Sequence, residues 1–149
     1  MQTLGINVGS TSLKMVLAED GRPVWSATGI HEGDFGTAAK KLLEEGNIPT
    51  GIKTLITGNE GRSMFNVSGT LEPLCVEAAL KSLKLDVVDA VVSMGGEDLI
   101  VYTLENGKII NNFSGNKCAS GTGEFLKQQL ARMDMTLDDI EDIPDTAKV

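Results

Sequence analysis

At 149 residues the chain is long enough to bury a real core as one domain or two small lobes, so neither crosslinks nor a structural metal is needed to fold it. With 41% hydrophobic and 23% charged residues its usage is that of a globular protein, which excludes a disordered chain, and its longest apolar runs, such as "VVDAVVSM", are far too short to span a bilayer. A net charge of -8 excludes broad contact with a nucleic-acid backbone, whereas a nucleotide needs only a few backbone amides around its phosphates.

The first segment "MQTLGINVG" has neither the basic start nor the long apolar stretch of a secretory signal, and a cytoplasmic protein is expected. "LGINVG" (Leu4 to Gly9), "LKMVLAE" (Leu13 to Glu19) and "PVWSATGI" (Pro23 to Ile30) predict three short antiparallel strands joined by Gly/Ser/Thr and Asp-Gly turns. "FGTAAKKLLEEG" carries Ala38, Ala39, Leu42 and Leu43 at helical spacing and ends at Gly46, where a left-handed cap is expected. "KTLITG" predicts a fourth strand. In "TLEPLCVEAALKSL" (Thr70 to Leu83), Leu71, Leu74, Cys75 and Ala78 share a helical face, so Cys75 is expected in the core; "VVDAVVSM" follows as a buried strand.

These elements make an α/β layer, a mixed five-stranded sheet with flanking helices, over residues 1–92. The hairpin "LIVYTLENGKIINNF", turning at Asn106-Gly107, begins the same plan again. Leu126, Leu130 and Met133 line a further helix. Residues 93–149 are therefore expected to be the start of a second lobe, and the chain a fragment of a longer protein.

Two glycine turns carry the candidate chemistry. In "GINVGSTSLK", Gly9, Ser10, Thr11 and Ser12 bring amides and hydroxyls together between strands, and Lys14 adds a positive charge, a combination suited to phosphate. The spacing is not that of a P-loop, and no helix follows as a dinucleotide fingerprint requires. In "SMGGEDL", Gly95 and Gly96 end a strand and Glu97 and Asp98 emerge, suited to Mg²⁺ held through its waters. Facing each other, the two turns would enclose metal-bound phosphate; taken singly, each is also an ordinary tight turn. "ITGNEGR" supplies Gly58, Gly61 and Arg62 in what reads as an exposed loop, a loop at the cleft or at a subunit contact being the alternative, and His31, the only histidine, reads as a surface residue.

Two cysteines cannot make a disulfide scaffold. Cys118, in "GNKCASGTGEF", precedes a helix and follows Lys117, an environment that favours the thiolate. The small residues Ala119, Ser120, Gly121 and Gly123 allow close approach of a cofactor or a second chain. A buried spacer explains this setting poorly; metal ligand and nucleophile both stay open on the residues alone.

Taken in order, "GINVGSTSLK", "TGNEGR", "GGED" and "GNKCASGTGEF" make the chain resemble the ATPase activators of 2-hydroxyacyl-CoA dehydratases and the related benzoyl-CoA reductase subunits, within the acetate kinase, sugar kinase, Hsp70 and actin superfamily. The wording "NKCASGTGEFLKQQLARM" is similar to long, fused members in which an activator module precedes dehydratase-like regions. The resemblance implies a ribonuclease H-like, actin-like ATPase fold. It also implies ATP and Mg²⁺ as cofactors and a homodimer bridged by one [4Fe-4S] cluster, with Cys118 as the first of each subunit's two ligands. By the same resemblance, Gly9, Ser10, Thr11, Ser12, Lys14, Gly95, Gly96, Gly121, Thr122 and Gly123 bind the cofactor, and Asn7, Glu97 and Asp98 manage water and metal. ATP hydrolysis would drive one electron, received from a donor such as ferredoxin or flavodoxin, into a partner or fused dehydratase.

Four features depart from that pattern. Asn7 stands where the family usually has aspartate, Glu97 where glutamine is usual, and Ile100 where a lysine often follows Asp98. The second cluster cysteine is absent from these residues, and two copies of the chain would bring two thiolates in Cys118, short of a Cys₄ set. A small-molecule kinase of the same superfamily and a non-hydrolysing nucleotide-binding module are the alternatives. With its second lobe unfinished, the 149-residue chain alone is expected to be inactive.

Overall fold

The computed structural model describes residues 1–58, 61–85, 87–115 and 123–140. Its strands are β1 (Gln2–Val8), β2 (Ser12–Glu19), β3 (Arg22–Ile30), β4 (Lys53–Thr57), β5 (Ser68–Gly69), β6 (Ala90–Met94), β7 (Leu99–Glu105) and β8 (Lys108–Ser114). Its helices are α1 (Phe35–Glu45), the single turn α2 (Gly61–Met64), α3 (Glu72–Leu83) and α4 (Gly123–Arg132), with a short 3₁₀ turn at Asp138–Ile140.

The first five strands form one mixed sheet in the order β3-β2-β1-β4-β5. β1 to β3 are the expected antiparallel meander; β4 runs parallel to β1, which requires a crossover, and α1 supplies it. Alternation explains the core, because period-2 side chains line one face. Leu4, Ile6 and Val8 of β1 and Leu13 and Met15 of β2 pack with Ala39 and Leu42 of α1 and with Ile56. Asp34 starts α1 by accepting the Thr37 N–H at 3.0 Å, and that hydrogen bond holds its carboxyl below the usual range.

Gly46 ends α1 differently from expectation. Its φ is -78°, an ordinary helical value, and the left-handed residue is Asn47, at 46°. What Gly46 supplies is room: a Cβ there would lie 2.8 Å from the Trp25 ring and 2.9 Å from Ile48.

The fifth strand is also not the expected one. "VVDAVVSM" does not join the first sheet: Ala90–Met94 pairs with β7, and the two-residue β5 takes the edge beside β4. The second sheet has the order β6-β7-β8. An expected division between residues 92 and 93 would cut β6 in two, and the change of sheet lies earlier, between β5 and β6.

Helix α3 already belongs to that second sheet. Its buried residue is Leu80, which packs with Tyr102 and Leu104 beside Val76, whereas Leu71, Leu74 and Ala78 of the predicted face are exposed and Cys75 is only half-buried. Glu77 fastens α3 to β8, accepting from Lys108 Nζ at 2.7 Å and from the Ile109 N–H at 2.9 Å. The helix thus turned its face to a sheet that comes later in sequence.

The second sheet repeats the meander at one constant offset along the chain. The Gly9 N–H donates to the Ser12 carbonyl at 2.9 Å, and the Gly95 N–H donates to the Asp98 carbonyl at 2.7 Å. Register shifts fall at Leu17/Ala18 and at Thr103/Leu104, and the hairpin turns Asp20-Gly21 and Asn106-Gly107 are both left-handed at each residue. Among the described residues, no helix is long and apolar enough to cross a membrane.

Candidate functional site

The two repeated turns face one another. Asn7 at the end of β1, Gly9 to Ser12 in the first turn and Lys14 on β2 line a cavity of about 330 Å³. Gly95, Gly96, Glu97 and Asp98 of the second turn line the same cavity. Ten of the residues singled out from sequence are therefore brought together by the ends of β1 and β6, the same position in each meander.

Contact between the turns is close. A Cβ on Gly96 would lie 2.5 Å from Thr11 Cγ2, so only glycine lets the second turn approach the first this far. In the first turn, Lys14 Nζ donates to Ser12 Oγ at 2.8 Å, which holds the ammonium over the loop hydroxyls.

Several wall residues are ones that sequence reading passed over. Glu72, the first residue of α3, lines the cavity, and its Oε1 accepts from Ser93 Oγ at 3.4 Å. Burial, and secondarily the Glu72 charge, push the Tyr102 phenol above its usual range. In sequence Glu72 looks like an ordinary acid in the first turn of a helix; the available signal was its position directly ahead of Pro73 at a helix start. Ser93, also passed over, lines the wall, as does Ile100, which the sequence marked as standing where a lysine often follows Asp98. Ser93 occupies in the second meander the position that Asn7 has in the first.

Gly58, expected on an exposed loop, is part of the wall as well. Its φ is 105°, and a Cβ would stand 2.0 Å from the Val8 carbonyl oxygen, so the backbone after β4 closes directly onto β1. Residues 59–60 lie outside the described residues.

His31 is not a surface residue. It is 5% exposed, stacks on Phe35 with ring centroids 4.0 Å apart, and touches the first turn from behind. Its Nδ1 accepts the Gly33 N–H at 3.1 Å; the ring proton is therefore assigned to Nε2, which donates to the Gly9 carbonyl at 2.9 Å.

Gly123 heads α4 and donates its N–H to the Gly95 carbonyl at 3.3 Å without being among the residues that line the cavity. Cys118, Gly121 and Thr122 lie outside the described residues. Among the described residues no cluster of three or more His, Cys, Asp or Glu side chains is gathered as a ready metal cage. Cys75, on α3, is not in the cavity wall.

The lining has a chemical consequence. Among the described residues of the wall, Glu72, Glu97 and Asp98 oppose one ammonium, that of Lys14, so a bare polyanion would be repelled from the second turn although the first turn suits it. A phosphate chain carrying a divalent cation resolves this, with oxygen donors for a hard ion on one side and amides and an ammonium for phosphate on the other.

No family model matches the chain. Among known proteins it is 30% identical over 148 residues to the (R)-2-hydroxyglutaryl-CoA dehydratase activating ATPase of Acidaminococcus fermentans, an alignment covering 95% of this chain and 57% of that protein. It superposes on the crystal structure of component A of the (R)-2-hydroxyglutaryl-CoA dehydratase of Acidaminococcus fermentans with a TM-score of 0.82 and 27% identity, over 100% of this chain and 60% of the other. The activator of the 2-hydroxyisocaproyl-CoA dehydratase from Clostridium difficile, solved with bound ADPNP, has the same fold, with a TM-score of 0.81 and 24% identity over 100% of this chain and 58% of the other. The chain spans less than two thirds of the length of the relatives it matches. Its fold is that of the actin-like ATPases.

Proposed function

From the premise that this chain is homologous to the ATP-dependent activators of 2-hydroxyacyl-CoA dehydratases, we propose that it is the nucleotide-binding part of such an activator. The observation that carries the reading is the cavity between the two glycine turns, closed where Gly96 seats on Thr11. The homologues favour an activator over a small-molecule kinase.

In this reading Mg-ATP lies with its terminal phosphates on the first turn, where the amides and hydroxyls of Gly9 to Ser12 and the Lys14 ammonium offset its charge. Glu97 and Asp98 supply oxygens for Mg²⁺, partly through its waters. Asn7 orients water or metal through its amide but cannot accept a proton, and Glu72 is the carboxylate at the cavity wall suited to that task. Bound between the turns, the nucleotide would be held by Gly9 to Ser12 and Lys14 on one side and by Glu97 and Asp98 on the other, and its hydrolysis would supply the free energy for activation.

A [4Fe-4S] cluster, when bound, would supply the low-potential electron delivered to the partner dehydratase. One copy of this sequence carries two cysteines, Cys75 and Cys118, short of a Cys₄ set. We assign Cys118 as one ligand, with a second copy of the protein contributing its counterpart and further thiolates coming from outside these residues. A ferredoxin- or flavodoxin-class donor and a homodimer joined near Cys118 complete the proposal, with cytoplasmic operation.

The test uses the full-length protein, purified without oxygen. Calorimetry with Mg-ATP and phosphate-release assays are expected to show binding and slow turnover, and iron, sulfide and the EPR spectrum after dithionite to report a cluster lost in Cys118→Ala. Protein that binds no Mg-ATP refutes the nucleotide site. A cluster that survives Cys118→Ala intact refutes the ligand assignment while leaving the nucleotide site standing.

A further inference from the structure

The first turn is held by a residue that lies outside the cavity. We propose that His31 is a positioning residue for phosphate binding: it fixes the Gly9 and Thr11 carbonyls behind the turn so that the Ser10 and Ser12 amides face the cavity. The proposal rests on the nucleotide reading above and names how that site is pre-organised.

The argument begins with the planar peptide, in which the carbonyl and the next N–H point in opposite directions. The Gly9 carbonyl accepts from His31 Nε2 at 2.9 Å, which turns the Ser10 N–H the other way. The Thr11 carbonyl accepts from the His31 backbone N–H at 3.4 Å, which does the same for the Ser12 N–H. Ser10 and Ser12 both line the cavity, and His31 does not. One residue therefore fastens two alternate peptides of the turn, leaving the amides of Ser10 and Ser12 available to an anion.

The imidazole is itself immobilised. Gly33 donates to Nδ1, which fixes the tautomer that donates from Nε2, and the ring lies against Phe35, the first residue of α1. Asp34 donates its N–H to the His31 carbonyl at 2.6 Å. The start of α1, the end of β3 and the phosphate turn are thus one connected unit. Without the Nε2 donor the Gly9 carbonyl loses its partner behind the turn, and Gly9 accepts the change in ψ that would swing the carbonyl dipole toward the phosphate with the wrong sign.

The choice of variants separates this role from mere packing. Gln carries its amide nitrogen where the imidazole has Nε2 and keeps the bond to Gly9; Asn has an oxygen near the position of Nδ1, serves only Gly33, and cannot reach Gly9. In the full-length protein, calorimetry with Mg-ADP is expected to give about tenfold weaker binding for His31→Ala and His31→Asn and a value within about threefold of wild type for His31→Gln. Melting temperatures of the three without nucleotide give the control. The proposal is overturned if wild type binds and His31→Ala binds as well, or if the three affinities follow melting temperature and not the presence of the Gly9 donor. Wild-type protein that does not bind Mg-ADP overturns the nucleotide reading and this proposal with it.

Discussion

Gly96 lies so close to Thr11 that a Cβ would stand 2.5 Å from its Cγ2 and 2.6 Å from its Oγ1. The two halves of the cavity meet there through the absence of a side chain. Threonine is short and branched at Cβ, so it cannot swing clear, and relief must come from separating the turns.

Gly96→Ala is accordingly expected to weaken Mg-nucleotide binding about tenfold in the full-length protein, since the two turns can no longer grip one phosphate chain together. Thr11→Ala, which removes Cγ2 and Oγ1, restores part of the loss, so the double variant binds better than additivity requires. Calorimetry on the four proteins of the cycle checks this, and strict additivity would refute the contact.

Gly58 presents a harder constraint, because its neighbour is backbone. Gly58→Ala drives a Cβ into the Val8 carbonyl from a φ of 105°, and neither main chain can yield without loosening the β1-β4 pairing. The expected cost is about 3 kcal/mol or more, read from urea unfolding of the full-length protein. A variant as stable as wild type would show that the loop after β4 does not close on β1.

The third expectation concerns pH. The Lys108 hydrogen bond, and after it the Ile109 N–H, hold the Glu77 carboxyl below its usual range. A folded value below the unfolded one gives stability that is present above the ordinary carboxylate range and lost as pH falls through the folded value. Glu77→Gln should therefore be less stable than wild type near neutrality, with the gap closing on acidification. A gap that stays constant from pH 7 downward would remove Glu77 as the anchor between α3 and β8.

Glu72→Gln preserves shape and the bond from Ser93 while removing a charge and a proton acceptor. Under the proposed function it slows ATP hydrolysis about 100-fold and leaves nucleotide affinity within about threefold. Phosphate release and calorimetry on the same preparation separate the two quantities. Equal hydrolysis in both proteins would return the task to Glu97 and Asp98.

Much of this was legible in the sequence because local rules and tertiary outcome agree. The meander follows from alternation in "LGINVG" and "LKMVLAE" with an Asp-Gly turn, and the second hairpin from Asn106-Gly107, whose left-handed φ values the turn demands. Both glycine turns could be recognised, and their meeting in one cavity follows from the repeat. What escaped was decided at long range. Helix α3 has a plausible apolar face in Leu71, Leu74 and Cys75, yet β8, which comes later in sequence, selects Val76, Glu77 and Leu80. His31 looked polar and isolated; its partners Gly9 and Gly33 offer only main-chain atoms, which leave no mark in a sequence. Gly46 caps α1 as expected but at an ordinary helical φ, and its lack of a side chain makes room for Trp25.

The repeated meander has a further consequence. Its two copies share hydrogen bonds, bulge and hairpin, but mutation has given one an ammonium and three hydroxyls and the other a pair of acids. A duplicated frame with identical linings would receive a linear guest equally well in either direction. These unlike linings give the cleft a sense of direction, so under the proposed function a phosphate tail would enter with one end forward.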